Sequence, residues 1–238
     1  MLRILLYIAV CGISFTSLGL DAKAELEKLA QTHQKLQSYK VGTTYRLYES
    51  HTSMNAIEVH KGLEYKHGKG SLSYLAGITT LYTKEDYLLI DSLEQQILLY
   101  KKPESIKDAQ SVGLRLDSLQ KSFSDIEVKE LDKNLKVIIL KTSRKRYSEM
   151  EKIMLYYDTA YRIKKIVLCY GYPADVKNQM KEGEKPRIEI SYGAYVEKLD
   201  PSEIALLQKN HYLITQKGTL VGVGAYTSYE IIDGRYKK

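Results

Sequence analysis

Two aspartates stand at matching places in the chain. Asp91 closes the apolar run Leu88-Leu89-Ile90 and is followed by Ser92; Asp158 closes Leu155-Tyr156-Tyr157 and is followed by Thr159. Two carboxylates can divide general-acid and general-base work, provided that both reach one place in space. The same pattern has a structural use. Asp, Ser and Thr bond their own nearby backbone and stabilise turns, and a second strand-like run follows each aspartate, in "LLIDSLEQQILLY" (88–100) and "LYYDTAYRIKKIVLCY" (155–170). The spacing therefore predicts two β-hairpins with Asp at the first turn position, and nothing in it requires the two turns to meet.

The other candidates are weaker. His51, His60 and His67 fall on different strands or turns, without a cysteine or paired carboxylate at ligand spacing, which is not the pattern of a zinc site; His33 and His211 stand apart from them. Cys169, in "KIVLCY", has apolar, strand-like neighbours and reads as a small buried hydrophobe rather than a nucleophile. Glu85-Asp86 and "GKGS" (68–71) read as turns. The chain has no nucleophile elbow, HExxH helix, P-loop or dinucleotide fingerprint. The expectation is a protein without catalytic residues, metal or cofactor.

These residues sit in a chain of 238, 44% apolar and 27% charged, with net charge +7. That suits one well-buried domain. Arg3, an apolar stretch from Ile4 to about Leu20 and then Ala22-Lys23-Ala24 read as a secretory signal peptide over 1–24, cleaved after Ala24, with an uncleaved anchor as the alternative. Cys11 follows Ile8-Ala9-Val10, a loose lipoprotein box whose Val10 stands where a small residue is wanted. The mature domain, 25–238, keeps Cys169 as its single cysteine, so its core must hold it together without a disulfide. Export argues against a nucleic-acid partner, and the dispersed basic charge suits anionic lipid or acidic partners met peripherally. The 21 tyrosines, against two phenylalanines and no tryptophan, suit sheet surfaces with one face near water.

The elements follow from periodicity. Leu26, Leu29, Ala30, His33 and Leu36 predict an amphipathic helix over 25–38. Alternation from Tyr39 to Leu47 predicts a strand, and the pattern restarts at Ile57 and Val59. Residues 72–83 read as one strand bent at Gly77, and a helix is expected near 114–123. Strands are expected at 126–131 and 135–142, joined by Asp132-Lys133-Asn134, then on either side of Asp158, and at "RIEISY". Pro201 opens a short helical turn, and the last two strands fall near 211–216 and 222–232. Short connections make the sheet antiparallel, with about eleven or twelve strands. Strands 87–90, 97–100, 137–140, 153–157 and 166–170 are apolar on both faces, whereas an antiparallel sheet normally keeps one face wet. They must be covered on both sides or line a cavity.

The amphipathic helix ending in "LQSYK", the hairpin "DYLLIDSLEQQILLY", and "MLYYDTAYRIKKIVLCYG" followed by "PRIEISYGAYVEKLDPSEI" resemble the periplasmic lipoprotein-carrier superfamily, which includes the outer-membrane lipoprotein-sorting carrier. The chain departs from that pattern in its tyrosine richness, its lack of tryptophan, and Ile204, Leu206 and Leu207 where a phenylalanine is usual. The resemblance implies an α+β fold, a strongly curved antiparallel half-barrel of about eleven strands with helices on its concave face. It also implies a non-enzymatic periplasmic protein that shields a lipid, acyl chain or acylated protein, with outer-membrane or surface association as a variant. Candidate wall residues are Tyr45, Leu47, Leu81, Leu88, Ile90, Leu98, Tyr100, Ile139, Leu155 and Tyr157, with Leu26, Leu29 and Leu36 in the lid helix. The alternative is an envelope adaptor that binds another protein through its tyrosine-rich sheet.

Overall fold

Asp21 starts the first helix. Its side chain accepts hydrogen bonds from the Lys23 and Ala24 backbone N–H groups, two of the donors that a helix N-terminus leaves open. Helix α1 (Ala22–Lys35) thus begins three residues before the expected 25, and Ala22-Lys23-Ala24 lies in its first turn. It stops short of 38 because Leu36 turns to extended backbone and leads into the sheet. The computed structural model describes residues 21–102, 123, 125–142, 150–171 and 185–235. The apolar part of the expected signal peptide and most of the helix expected near 114–123 lie outside them. No helix among the described residues is long and apolar enough to cross a membrane.

The sheet is built in chain order from β1 (Ser38–Tyr48), β2 (Glu58–His67), β3 (Gly70–Leu75), β4 (Ile78–Tyr82), β5 (Asp86–Asp91), β6 (Gln96–Lys101), β7 (Asp125–Asp132), β8 (Leu135–Lys141), β9 (Met150–Asp158), β10 (Ile163–Tyr170) and β11 (Arg187–Tyr192). Helix α2 (Pro201–Ala205), a small hairpin of β12 (Leu213–Gln216) and β13 (Thr219–Gly222), and β14 (Glu230–Asp233) complete the chain. Twelve strands form one curved, unclosed sheet in the order β14-β6-β5-β4-β3-β2-β1-β11-β10-β9-β8-β7. All pairs are antiparallel except β14 with β6, which is parallel. The expected α+β half-barrel is the fold that forms.

Three details differ from the periodicity. Residues 72–83 are not one bent strand. Ala76 and Gly77 both take positive φ (51° and 86°), and Leu75 pairs with Ile78; that is the two-residue hairpin geometry whose twist matches the strands. The expected strand near 222–232 is not continuous: β13 ends at Gly222 and β14 starts only at Glu230, because a turn over Gly224–Tyr226 redirects the chain along the β6 edge. The two aspartates do make turns: Asp91 accepts from the N–H of Leu93 and Glu94 at 2.9 and 3.0 Å, and Asp158 from those of Ala160 and Arg162 at 3.0 and 2.9 Å. Six strands separate β5 from β9 in the sheet order, roughly 30 Å along the sheet at the usual strand spacing, so the aspartates form no dyad.

The register decides which side of the sheet each residue occupies, since partners across an antiparallel pair share a face. One row runs Tyr45–Ile190–Ile166–Leu155–Ile138–Val128 across β1, β11, β10, β9, β8 and β7. Leu26, Leu29 and Ala30 of α1 pack on it, with Phe123; this is the α1 face. On the other half, Tyr65–Leu72–Leu81–Leu88–Leu99 across β2 to β6 lies on the opposite face. Leu199, Leu207, Tyr212 and Leu213 cover it, with Ile204 and Leu206 of the α2 segment beside them. The sheet therefore carries two cores on opposite faces. Two contacts fix α2: the Asp200–Glu203 capping box and an ion pair from Lys40 to Glu203.

Candidate ligand-binding face

Among the described residues the β2–β6 half has its core on one side only, so its other side, on the α1 face, is the candidate site. The row there continues Val41–Glu64–Ser73–Thr80–Leu89–Leu98 across β1 to β6. A neighbouring row runs Tyr39–Lys66–Ser71–Tyr82–Tyr87–Tyr100. Leu75, Ile78, Leu89 and Leu98 are half-buried and belong to none of the three apolar clusters of the described residues. Tyr82, Tyr87 and Tyr100 stack in a ladder, with ring centroids 4.7 and 6.0 Å apart. The α1 cluster borders the site through Tyr45 and Tyr192. Tyr39, Val41 and Leu36 form a small cluster with Tyr192 and Tyr195 at that border.

Charge is handled differently at two places on this face. Glu25 of α1 is well satisfied. It accepts from Tyr157 Oη at 2.6 Å and from Tyr161 Oη at 3.0 Å, and Lys136 approaches to 3.8 Å. Glu64 is only 2% exposed, and neither of its carboxylate oxygens has a hydrogen-bond partner. Burial pushes its carboxyl up to about 8, because the charged form loses its hydration. The Tyr45, Tyr192 and Tyr195 hydroxyls are pushed up, first by burial, with the Glu64 charge acting in the same direction on each. His33, on the last turn of α1, is pushed down to about 4, first by burial and then by the charges of Lys66 and Arg162.

The expected wall residues divide by face. Tyr45, Leu47, Leu98 and Tyr100 lie on the α1 face within or beside the candidate site. Leu155 and Tyr157 share that face but are fully buried beneath α1, with Leu26 and Leu29 of the lid helix. Leu36 packs with Tyr39 and Val41. The structure does not bring Leu81, Leu88 or Ile90 to this side; they fill the opposite core. Ile139 also points away, since its neighbours Ile138 and Leu140 hold the α1-face positions. Glu64, Thr43, Leu89, Tyr192 and Tyr195 are site residues that the sequence reading missed. In "LEYKHGKG" Glu64 and Lys66 alternate with Leu63 and Tyr65, and that pattern reads as a solvent face.

The remaining sequence candidates stay apart. His51 Nε2 meets the Tyr170 carbonyl at 3.0 Å, His60 lies beside Glu58, and His67 lies beside Ser38. Cys169 is a free, buried thiol, and burial pushes its pKa up.

No family model matches this chain, and no curated protein does. Forty chains of solved structures are similar to it. A conserved protein of Thermus thermophilus is 8% identical over 87% of this chain and 98% of its own, with a TM-score of 0.46. A LolA-superfamily protein of Nitrosomonas europaea is 13% identical over 79% and 98%, with a TM-score of 0.35. An outer-membrane lipoprotein-sorting protein domain of Vibrio parahaemolyticus is 11% identical over 80% and 98%, with a TM-score of 0.31. The last two bear names from the superfamily that the sequence resembles.

Proposed function

We propose that this is an exported, non-enzymatic binding protein that shields an apolar chain, from a lipid or an acylated protein, on the α1 face of strands β2–β6. One observation carries the reading: this half of the sheet already buries a full core on its opposite face, yet Leu75, Ile78, Leu89, Leu98, Tyr82 and Tyr87 on the near face are half-buried as well. A sheet that only needed to fold would leave that face polar and wet. A mostly apolar wall with a few polar groups set into it is the usual make-up of a small-molecule site. The ligand's chain would leave water along Leu89 and Leu98, and each buried methylene contributes about 0.8 kcal/mol, so one long acyl chain gives useful affinity. The protein would act in the periplasm, meeting membranes peripherally.

The test is native mass spectrometry with lipid extraction on the mature chain purified from its native host, followed by titration of the delipidated protein with a fluorescent fatty acid. A co-purifying lipid, or saturable uptake of the probe, is the expected result. A lipid-free protein that also fails to take up the probe would overturn the reading. A stoichiometric envelope protein in place of lipid would support the adaptor alternative.

A further inference from the structure

We infer that Glu64, with Thr43 beside it, receives a ligand ammonium group, while the ligand's apolar chain lies along Leu89 and Leu98. This deepens the apolar-ligand reading above and rests on it.

A carboxylate withdrawn from water is stable when donors surround it, as half-buried Glu25 shows with Tyr157 and Tyr161. Glu64 is more deeply enclosed, yet both its oxygens lack a partner, and a buried polar group left unpaired is costly in either protonation state. The neighbouring hydroxyl points to the same need. Thr43, diagonal to Glu64 on the next strand, is 4% exposed, and its Oγ1 also has no partner. The position facing Thr43 is Gly62, where a Cβ would come within 2.5 Å of Thr43 Oγ1. The glycine therefore leaves that hydroxyl its place. Lys66, the cation on the same face of β2, donates to the Gln34 carbonyl at the end of α1, at 3.5 Å.

A partner that brings hydrogen-bond donors and positive charge would satisfy both oxygens and favour the ionised carboxylate. A primary ammonium brings both: it can donate to Glu64 and Thr43 and form a charge-assisted pair. The tyrosines that respond to the Glu64 charge, Tyr45, Tyr192 and Tyr195, add ring faces that attract a cation. A ligand carboxylate or phosphate would meet an acid instead. A neutral alcohol can bond to Glu64 in its protonated form but supplies no charge.

The experiment compares three twelve-carbon probes on the delipidated chain by titration calorimetry at pH 7.5: dodecylamine, dodecanol and dodecanoate. The amine is expected to bind about tenfold tighter than the other two, and Glu64→Gln, which keeps the shape, is expected to bring the amine-to-alcohol ratio close to one. Binding of all three alike by the wild-type chain, or an undiminished amine preference in Glu64→Gln, overturns this inference and leaves the apolar-ligand reading standing. Binding of none overturns both. The wild-type ranking stands without any variant, so a misfolded Glu64→Gln would not shelter the idea.

Discussion

The two halves of the sheet solve the same problem in opposite ways. Strands β7–β11 bury the face that α1 covers, and β11 presents Arg187 and Glu189 on the other side, joined by an ion pair, with Arg187 4.0 Å from the ring of Tyr48 on β1. Strands β2–β6 bury the other face beneath α2 and the C-terminal segment, and they leave a half-apolar wall on the α1 side. The first half has one dry face packed under α1, and on its other side Val137, Val167 and Cys169 are buried among longer polar side chains. The second has a dry face plus one that is neither dry nor wet, and the unpartnered carboxyl lies at its inner margin. The difference teaches where to look for a ligand: on the half whose folding needs are already met from behind.

The largest expected effect comes from the two titrating groups at that margin. Glu64 is raised to about 8 from its ordinary 4.5, so the folded form keeps a proton that the unfolded chain has released. The associated stability is fully present below about pH 4.5 and is lost as pH rises toward 8, on the order of 5 kcal/mol in total. His33 is lowered to about 4 from 6.5, so its contribution, roughly 3 kcal/mol, is present above pH 6.5 and is lost as pH falls toward 4. The two oppose each other between pH 4.5 and 6.5, and above 6.5 Glu64 acts alone among them. Tyr39, Tyr45, Tyr192, Tyr195 and Lys66 face the same region, and none of them has an ordinary titration range below pH 9. Urea unfolding at pH 4, 6.5 and 8.5 should show wild-type stability falling from 6.5 to 8.5, and Glu64→Gln should abolish that fall. A wild-type curve flat over that interval would remove the buried-acid account.

Next in size are two adjacent leucines that the register sends to different faces. Leu88 is fully buried in the α2-side core, whereas Leu89 is half-buried on the candidate wall. Leu88→Ala should cost about 2–5 kcal/mol, as a core cavity does. Leu89→Ala should cost under about 1.5 kcal/mol while weakening fatty-acid uptake several-fold. Denaturant midpoints and probe titration read the two quantities separately. Equal stability losses with unchanged uptake would erase the distinction between the faces. Leu29→Ala, in the fully buried α1 cluster, should behave like Leu88→Ala, at about 2–5 kcal/mol.

The smallest effects are expected at the turns and caps. Asp200→Ala removes the capping box of α2 and should cost about 1 kcal/mol. Asp91→Ala and Asp158→Ala each remove two backbone acceptor contacts and should each lower stability by about 1 kcal/mol. Probe affinity should not change in any of the three, since each side chain bonds the backbone of its own turn. A loss of binding in Asp91→Ala or Asp158→Ala would reopen a chemical role for the aspartates.

The sequence alone determined everything that depends on near neighbours. Asp91 and Asp158 announce turns because their side chains bond backbone only a few residues away. Helix α1 is legible from the spacing of Leu26, Leu29 and Ala30, and the strands are legible from their alternation. The paired leucine-rich runs even signal that some strands are dry on both sides. Which side each residue takes was decided by tertiary structure. Leu88 and Leu89 are the same residue type on one strand, and only pairing with β4 and β6 assigns one to a core and the other to a wall. Glu64 sits in a polar alternation that looks solvent-facing until β1 and β3 flank it and the tyrosines of β1 and β11 close around it. Burial of that kind depends on residues more than a hundred positions away in the chain, and no local pattern encodes their arrival.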